Sequence, residues 1–371
     1  MMEAHEELRA EVLGFIRRGM SAAPDEDAYE RLALRVFEYQ FAENEPYRRF
    51  CDRRNLTPGS VTHWSDVPAV PTAAFKEAQL VCGDAKESEF VFRTSGTSQG
   101  TERRGAHYVR DLAPYKAAAL ANFQTHLLPD GNHMKMLVLV PTRDLAPDSS
   151  LTWMLELVRE EYGTRDSAFF VDDEGLRIDA LMSELADSQT IQQPVMILGT
   201  VAAIAHLLET LDEHERLFRL PFGSRIMETG GFKGLRRKIS KEEFYARLTD
   251  RLGLSEFYCV AEYGMTELSS QFYDNVLRER ALGGNPRLRY KVVPPWVRTQ
   301  VVDAESLEPL PKGQVGLLRH YDLANLESVM AIQTDDLGLA DGEGFEVLGR
   351  AAGAELRGCS IAMDQWLTSQ R

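Results

Sequence analysis

Three short stretches, in one order along the chain, carry residue types suited to a nucleotide and a carboxylate. Thr94-Ser95-Gly96-Thr97-Ser98-Gln99-Gly100 mixes hydroxyls with glycines. Glycines let backbone N–H groups turn onto an anion and the hydroxyls add donors, so a loop of this kind can wrap phosphates. Tyr263-Gly264-Met265-Thr266-Glu267 offers a ring, a hydroxyl and a carboxylate. Tyr263 gives a flat face for a purine, and Glu267 is a hard oxygen ligand suited to the magnesium that accompanies ATP. Thr334-Asp335-Asp336-Leu337, followed by Gly349-Arg350, can hold a ribose. A carboxylate accepts from both sugar hydroxyls, with Asp336 the first candidate, Asp335 an open alternative and Arg350 a second contact. Together the stretches supply what activating a carboxylate with ATP requires.

Each has a plainer reading. The first is also a Ser/Thr/Gly-rich surface turn, the second a strand end with Thr266 capping a helix, the third an Asp-rich turn. No Gly-Lys-Ser/Thr follows the first stretch, so it is not a Walker loop; Arg103 and Arg104 stand nearby as charges. Gly230-Gly231, just after an apolar run, reads as a tight turn. Cys359 follows Arg357 and Gly358. A lone cysteine is more often a small buried apolar group, but a neighbouring cation favours the thiolate, a minor species near neutral pH for a thiol pKa of about 8.5. Cys51, Cys82 and Cys259 read as structural, and no histidine sits in a hydrolase order.

The elements that must position these residues are legible in the apolar spacing. Leu8, Val12, Phe15 and Ile16, and then Tyr29, Leu32, Val36 and Phe37 after the acidic start Asp25-Glu26-Asp27, predict two packing helices. Apolar runs at 136–140, 195–198 and 224–227 predict buried parallel strands. Helices are expected between them at 153–161, 201–211 and 241–252. The runs end in Pro141-Thr142-Arg143, Gly199-Thr200 and Thr229-Gly230-Gly231, the carboxyl-end turns where open α/β sheets bind ligands. After about residue 285 closely spaced β-like runs at 290–293, 297–302, 316–320, 329–333 and 345–348 predict an antiparallel subdomain. The expected organisation is an α/β core over 1–285 and a β-rich subdomain with a short tail carrying Cys359 over 286–371.

A formal net charge of −15 argues against nucleic acid, which rewards clustered Lys and Arg. Hydrophobic residues at 44% and charged ones at 27% fit a globular domain, with no run long enough to span a bilayer. The start, Met1-Met2-Glu3-Ala4-His5-Glu6-Glu7, lacks the basic opening of a signal peptide. The four cysteines show neither CxxC pairing nor zinc spacing, so reduced thiols and a cytoplasmic location are expected.

In combination the three stretches resemble the phosphate-loop, Tyr-Gly-x-Thr-Glu and Thr-Gly-Asp motifs of the adenylate-forming superfamily. The segments 68–77 (Pro-Ala-Val-Pro-Thr-Ala-Ala-Phe-Lys-Glu), 228–234 (Glu-Thr-Gly-Gly-Phe-Lys-Gly), 294–298 (Pro-Pro-Trp-Val-Arg) and 357–360 (Arg-Gly-Cys-Ser) narrow the resemblance to acyl-protein synthetases of the LuxE type. The resemblance runs from about residue 30 to the end. It implies a large α/β adenylation domain of mostly parallel sheets flanked by helices, with an antiparallel β subdomain. It also implies ATP and magnesium as cofactors, a fatty acid substrate and an acyl thioester on Cys359. The acyl acceptor would be an acyl-CoA reductase-like partner, within a possible multi-subunit complex. By the same resemblance Tyr263 stacks on adenine, the Gly230-Gly231 backbone lines the adenine pocket, Thr266 contacts phosphate and Glu267 binds magnesium. Lys76 and Lys233 are candidates to assist phosphate or carboxylate binding, with a solvated surface charge as the plain reading. The chain departs from the superfamily in placing Asp335 where a glycine is usual and in stopping soon after Arg350, so the full C-terminal lid with its lysine is expected to be missing. An acyl- or aryl-CoA ligase of the phenylacetate type and an inactive nucleotide-binding subunit are the alternatives.

Overall fold

The computed structural model describes residues 2–94, 104–131, 133–232, 239–340 and 344–351. Cys359, Lys233, Arg103 and the loop residues Ser95, Gly96, Thr97, Ser98 and Gly100 lie outside them. The described chain divides into two compact units, one drawn from residues 2–122, 265–272 and 291–351, the other from 123–264 and 273–290.

The first unit opens with α1 (Met2–Arg17), whose Leu8, Val12 and Ile16 recur at helical spacing and are buried. Next comes α2 (Glu26–Glu43), begun by Asp25, whose carboxylate accepts from Ala28 N at 3.1 Å. Tyr29, Leu32, Val36 and Phe37 on α2 are buried as their spacing predicts. Asn44 caps α3 (Glu45–Asp52) by accepting from Tyr47 N. Then follow β1 (Val70–Pro71), a 3₁₀ turn at Thr72–Lys76, and the hairpin strands β2 (Phe90–Arg93) and β3 (Ala106–Val109).

After α4 (Ala113–Leu127) the chain builds the second unit. Its elements are β4 (Lys135–Pro141), α5 (Ser150–Tyr162), β5 (Ala168–Asp172), β6 (Gly175–Leu176), α6 (Ile178–Ile191), β7 (Val195–Thr200), α7 (Val201–Glu213), β8 (Arg225–Thr229), α8 (Lys241–Leu252), β9 (Cys259–Tyr263), β10 (Phe272–Tyr273) and α9 (Val276–Ala281). The sheet order is β10-β9-β8-β7-β4-β5-β6, with β4, β5, β7, β8 and β9 parallel. Near-continuous apolar strands are what a sheet covered on both faces needs, and β4, β7 and β8 are buried almost throughout. Leu137, Ile197, Leu207, Ile226, Phe244 and Leu248 belong to one core cluster of this unit. The close approach of β7 to β4 requires glycine at 199, where a Cβ would meet Leu139 Cβ at 2.9 Å.

The chain then returns to the first unit. The strands β11 (Lys291–Val292), β12 (Val297–Val302), β13 (Val315–Asp322), β14 (Ala331–Ala340) and β15 (Gly344–Arg350) form an antiparallel sheet in the order β11-β15-β14-β13-β12. The short β1 adds to it in parallel, Val70 opposite Ile332 and Pro71 opposite Gln333. The N-terminal helices are tied to this sheet and its loops. Tyr29 donates to the Tyr321 carbonyl at 2.8 Å, and Gln40 Nε2 donates to the carbonyls of Asn325 and Leu326 at 2.9 Å each. Mixed α/β architecture with parallel strands and an antiparallel β portion is the fold class the sequence implies.

Candidate active site

In the first unit the β2–β3 hairpin forms the neck of the hydroxyl-rich loop. Arg93 pairs with Ala106, Thr94 N donates to Gly105 O at 3.0 Å, and Gly105 N donates to Thr94 Oγ1 at 2.9 Å. Arg104 turns back onto this neck, donating through Nε to Thr94 O at 2.6 Å and through Nη2 to Arg93 O at 3.2 Å.

From the same hairpin His107 reaches the turn that carries Thr266 and Glu267. Its Nδ1 donates to the Thr266 carbonyl at 2.7 Å, and the ring is met edge-on by Phe75 at 5.8 Å. Burial pushes the imidazole down to about 4, so it is neutral at physiological pH with its proton on Nδ1. Beneath the turn lies a buried polar network. Asn325 Nδ2 donates to Glu267 O at 2.8 Å, and Asn325 Oδ1 accepts from Ser269 Oγ at 2.6 Å. Asp322 accepts from Ser269 N at 3.1 Å and Ser270 Oγ at 2.8 Å, while Trp296 Nε1 donates to Ser270 Oγ at 2.9 Å. Satisfied networks of this kind hold backbone in one geometry.

The Glu267 side chain is 8% exposed. Burial pushes its carboxyl up to about 7, against the pull of Arg350 and Lys76 and with a further push from Asp335. The strand pair β14–β15 brings the last of these groups in. Asp336 lies opposite Arg350, and their side chains approach to 3.6 Å. Thr334 Oγ1 accepts from Asp336 N at 3.1 Å and donates to Leu318 O at 2.8 Å, and Ala351 N donates to Asp335 O at 2.9 Å. Gly349 has φ +123, a conformation that L side chains rarely adopt, which accounts for glycine beside Arg350.

In the second unit the two candidate base-binding turns leave neighbouring parallel strands at one level. Thr229 on β8 pairs with Glu262 on β9, and Thr229 Oγ1 hydrogen-bonds the Glu262 carboxylate. Gly230 and Tyr263 follow directly, Gly230 at φ +87 and exposed together with Gly231 and Gly264, Tyr263 half-buried. These are carboxyl ends of parallel strands, where ligands of open α/β sheets bind.

Sequence reading missed His107, which acts on a main-chain carbonyl and leaves no signature in side-chain spacing. It also missed Asp322, Asn325, Ser269 and Ser270. Asp322 ends β13 and Asn325 closes the 3₁₀ turn that follows, where Asp and Asn look like ordinary turn residues. Among the described residues no group of three or more His, Cys, Asp or Glu is arranged to hold a metal. A single buried carboxylate still suits magnesium, which usually takes one or two protein carboxylates, with water and phosphate oxygens filling the rest.

The parallel sheet and the antiparallel sheet recur as a fold in solved ligases. A 2-hydroxyisobutyryl-CoA ligase in the postadenylation state superposes with a TM-score of 0.63 at 16% identity, over 90% of this chain and 69% of the other. ATP-bound MatB from Rhodopseudomonas palustris matches with a TM-score of 0.50 at 15% identity, over 79% of this chain and 54% of the other. The family model of the acyl-protein synthetases, LuxE, matches residues 13–368, and the chain belongs to that family of ligases. The long-chain-fatty-acid–luciferin-component ligase of Vibrio harveyi is 26% identical over 92% of this chain and 88% of its own length. Its Aliivibrio fischeri counterpart is 23% identical over 90% and 87%. Among the described residues no helix is long and apolar enough to cross a membrane.

Proposed function

We propose that the chain activates a fatty acid with ATP and keeps the acyl group as a thioester on Cys359 for delivery to an acyl-CoA reductase-like protein in the cytoplasm. The observation that carries this reading is the buried Glu267 carboxylate, subject to the charges of Arg350 and Lys76, on a turn whose Thr266 and Glu267 main-chain carbonyls accept from His107 and Asn325. It is a pre-set place for a cation and the phosphates that come with it. The family and the names of its curated members support the fatty acid and a protein acceptor.

In the first step an oxygen of the fatty carboxylate bonds to the α-phosphorus of ATP, the bond from that phosphorus to the bridging oxygen breaks, and pyrophosphate departs. Tyr263, Gly230, Gly231 and Gly264 are assigned to adenine. Asp336 and Arg350 are assigned to the ribose, and the hydroxyls and N–H groups of Thr94, Ser95, Gly96, Thr97, Ser98 and Gly100, with Thr266, to the phosphates. Magnesium, held by Glu267 and nucleotide oxygens, would supply neutralisation of phosphate charge. In the second step the Cys359 thiolate adds to the acyl carbon and AMP leaves with the electron pair, so the energy of ATP is retained in the thioester. The test is pyrophosphate release with tetradecanoic acid in wild type and Glu267→Gln. The reading requires release in the first and its loss in the second, and equal rates remove Glu267 from the site.

A further inference from the structure

Among the described residues, free positive charge is scarce around the turn that carries Glu267. The chain as a whole has a net charge of −15. Arg104, beside the hydroxyl-rich stretch in sequence, donates to the main-chain carbonyls of Thr94 and Arg93. Arg350 approaches Asp336 at 3.6 Å and is assigned to the ribose side.

Lys76 is placed differently. It ends the 3₁₀ turn Thr72–Lys76, which directly follows β1, and β1 is locked in parallel register with β14 two residues before Thr334. The preceding residue, Phe75, is buried against His107, the side chain that holds the Thr266 carbonyl. The stem of Lys76 lies along the hairpin neck: a Cβ added at Gly105 would come 3.5 Å from Lys76 Cγ and 3.1 Å from Thr94 Cγ2. The residue is exposed and makes no ion pair among the described residues. A lysine with its stem packed and its turn fixed, whose ammonium is not already spent, is a point charge held ready for an anion.

We propose that Lys76 binds the β- and γ-phosphates of ATP and neutralises the charge that grows on pyrophosphate as it departs. The assignment rests on the adenylation reading above for the step, and on geometry alone for the anion. The stem packs beside Thr94, which opens the phosphate stretch, and the neighbouring Phe75 packs on the imidazole that holds the Thr266 carbonyl, so the lysine is assigned to the polyphosphate side.

The test is equilibrium binding of ATP, pyrophosphate and AMP, with magnesium, to wild type, Lys76→Met and Lys76→Arg by calorimetry, together with KM values for ATP and tetradecanoate. Methionine keeps the aliphatic stem and removes the charge. Loss of one charge-assisted contact should weaken ATP and pyrophosphate about tenfold or more, leave AMP within about twofold, and be largely restored by arginine. KM should rise for ATP and not for tetradecanoate. Unchanged ATP affinity in Lys76→Met, or an equal loss for AMP, overturns the assignment. If wild type binds ATP through Lys76 but releases no pyrophosphate with any fatty acid, the adenylation reading falls and the phosphate contact stands. A wild type that binds no ATP overturns both.

Discussion

His107 donates its Nδ1 proton to the Thr266 carbonyl at 2.7 Å, so one buried, neutral imidazole ties the β2–β3 hairpin to the turn bearing Glu267. The ring is pushed down to about 4 from an ordinary 6.5, so between these values the folded protein binds fewer protons than the unfolded chain. Its contribution is fully present above pH 6.5 and is lost as pH falls through 4.

A His107→Gln variant lacks that titration. Denaturant unfolding of both proteins from pH 7.5 to 4 should show the wild-type advantage shrinking by as much as about 3 kcal/mol as pH falls. A constant difference across the range would place a proton on the buried ring or remove its burial.

Glu267 has the opposite sign. Its carboxyl is raised to about 7 from 4.5, so what it contributes to stability is present below pH 4.5 and lost as pH rises through 7. Glu267→Gln should therefore unfold at least as high as wild type at pH 8 while losing magnesium-dependent pyrophosphate release by about 100-fold or more. Proton and magnesium compete for one carboxylate. The apparent magnesium affinity of wild type should fall by about tenfold per pH unit below about 7, measured from pyrophosphate release against magnesium concentration.

Asp335 and Asp336 are adjacent and should separate in their effects. Asp335 pushes the Glu267 carboxyl up, and Asp336 approaches Arg350. Asp335→Asn should shift the magnesium–pH curve to lower pH with little change in KM for ATP. Asp336→Asn should raise KM for ATP by about tenfold, the worth of a charge-assisted hydrogen bond to a sugar hydroxyl. An exchange of these phenotypes would assign the ribose to Asp335.

How far the sequence carried can be judged from particular elements. The runs at 136–140 and 195–198 are β4 and β7, because a strand buried on both faces must be apolar throughout. The helix patterns at 153–161, 201–211 and 241–252 fall inside α5, α7 and α8. What no spacing could show is β1, a two-residue strand whose partner lies some 260 positions away in β14. That pairing fixes the start of the turn that ends in Lys76, which the sequence offers as a candidate to assist beside its plain reading as a solvated charge. Thr266, Glu267, Asp336 and Arg350 are the candidates the sequence offers, because the proposed chemistry needs particular side chains. The supports behind them act on backbone, where many side chains would serve and none stands out.

Cys51, Cys82 and Cys259 are buried, and burial pushes the thiols of Cys51 and Cys259 up to about 12 and that of Cys82 well above its ordinary value. Thiolate is the reactive form. Brief alkylation of the native protein at pH 8 with peptide mapping should leave these three unmodified and mark Cys359, and labelling of any of the three at a comparable rate would contradict their burial.

The most direct measurement is the intact mass of the protein after incubation with magnesium ATP and tetradecanoic acid, with a Cys359→Ser control and a hydroxylamine wash. One acyl adduct is expected on wild type, removed by hydroxylamine and missing from the control. Pyrophosphate release without any adduct, or an adduct that persists in Cys359→Ser, would contradict Cys359 as the acyl carrier. The first of these would move the acceptor to a free thiol such as coenzyme A.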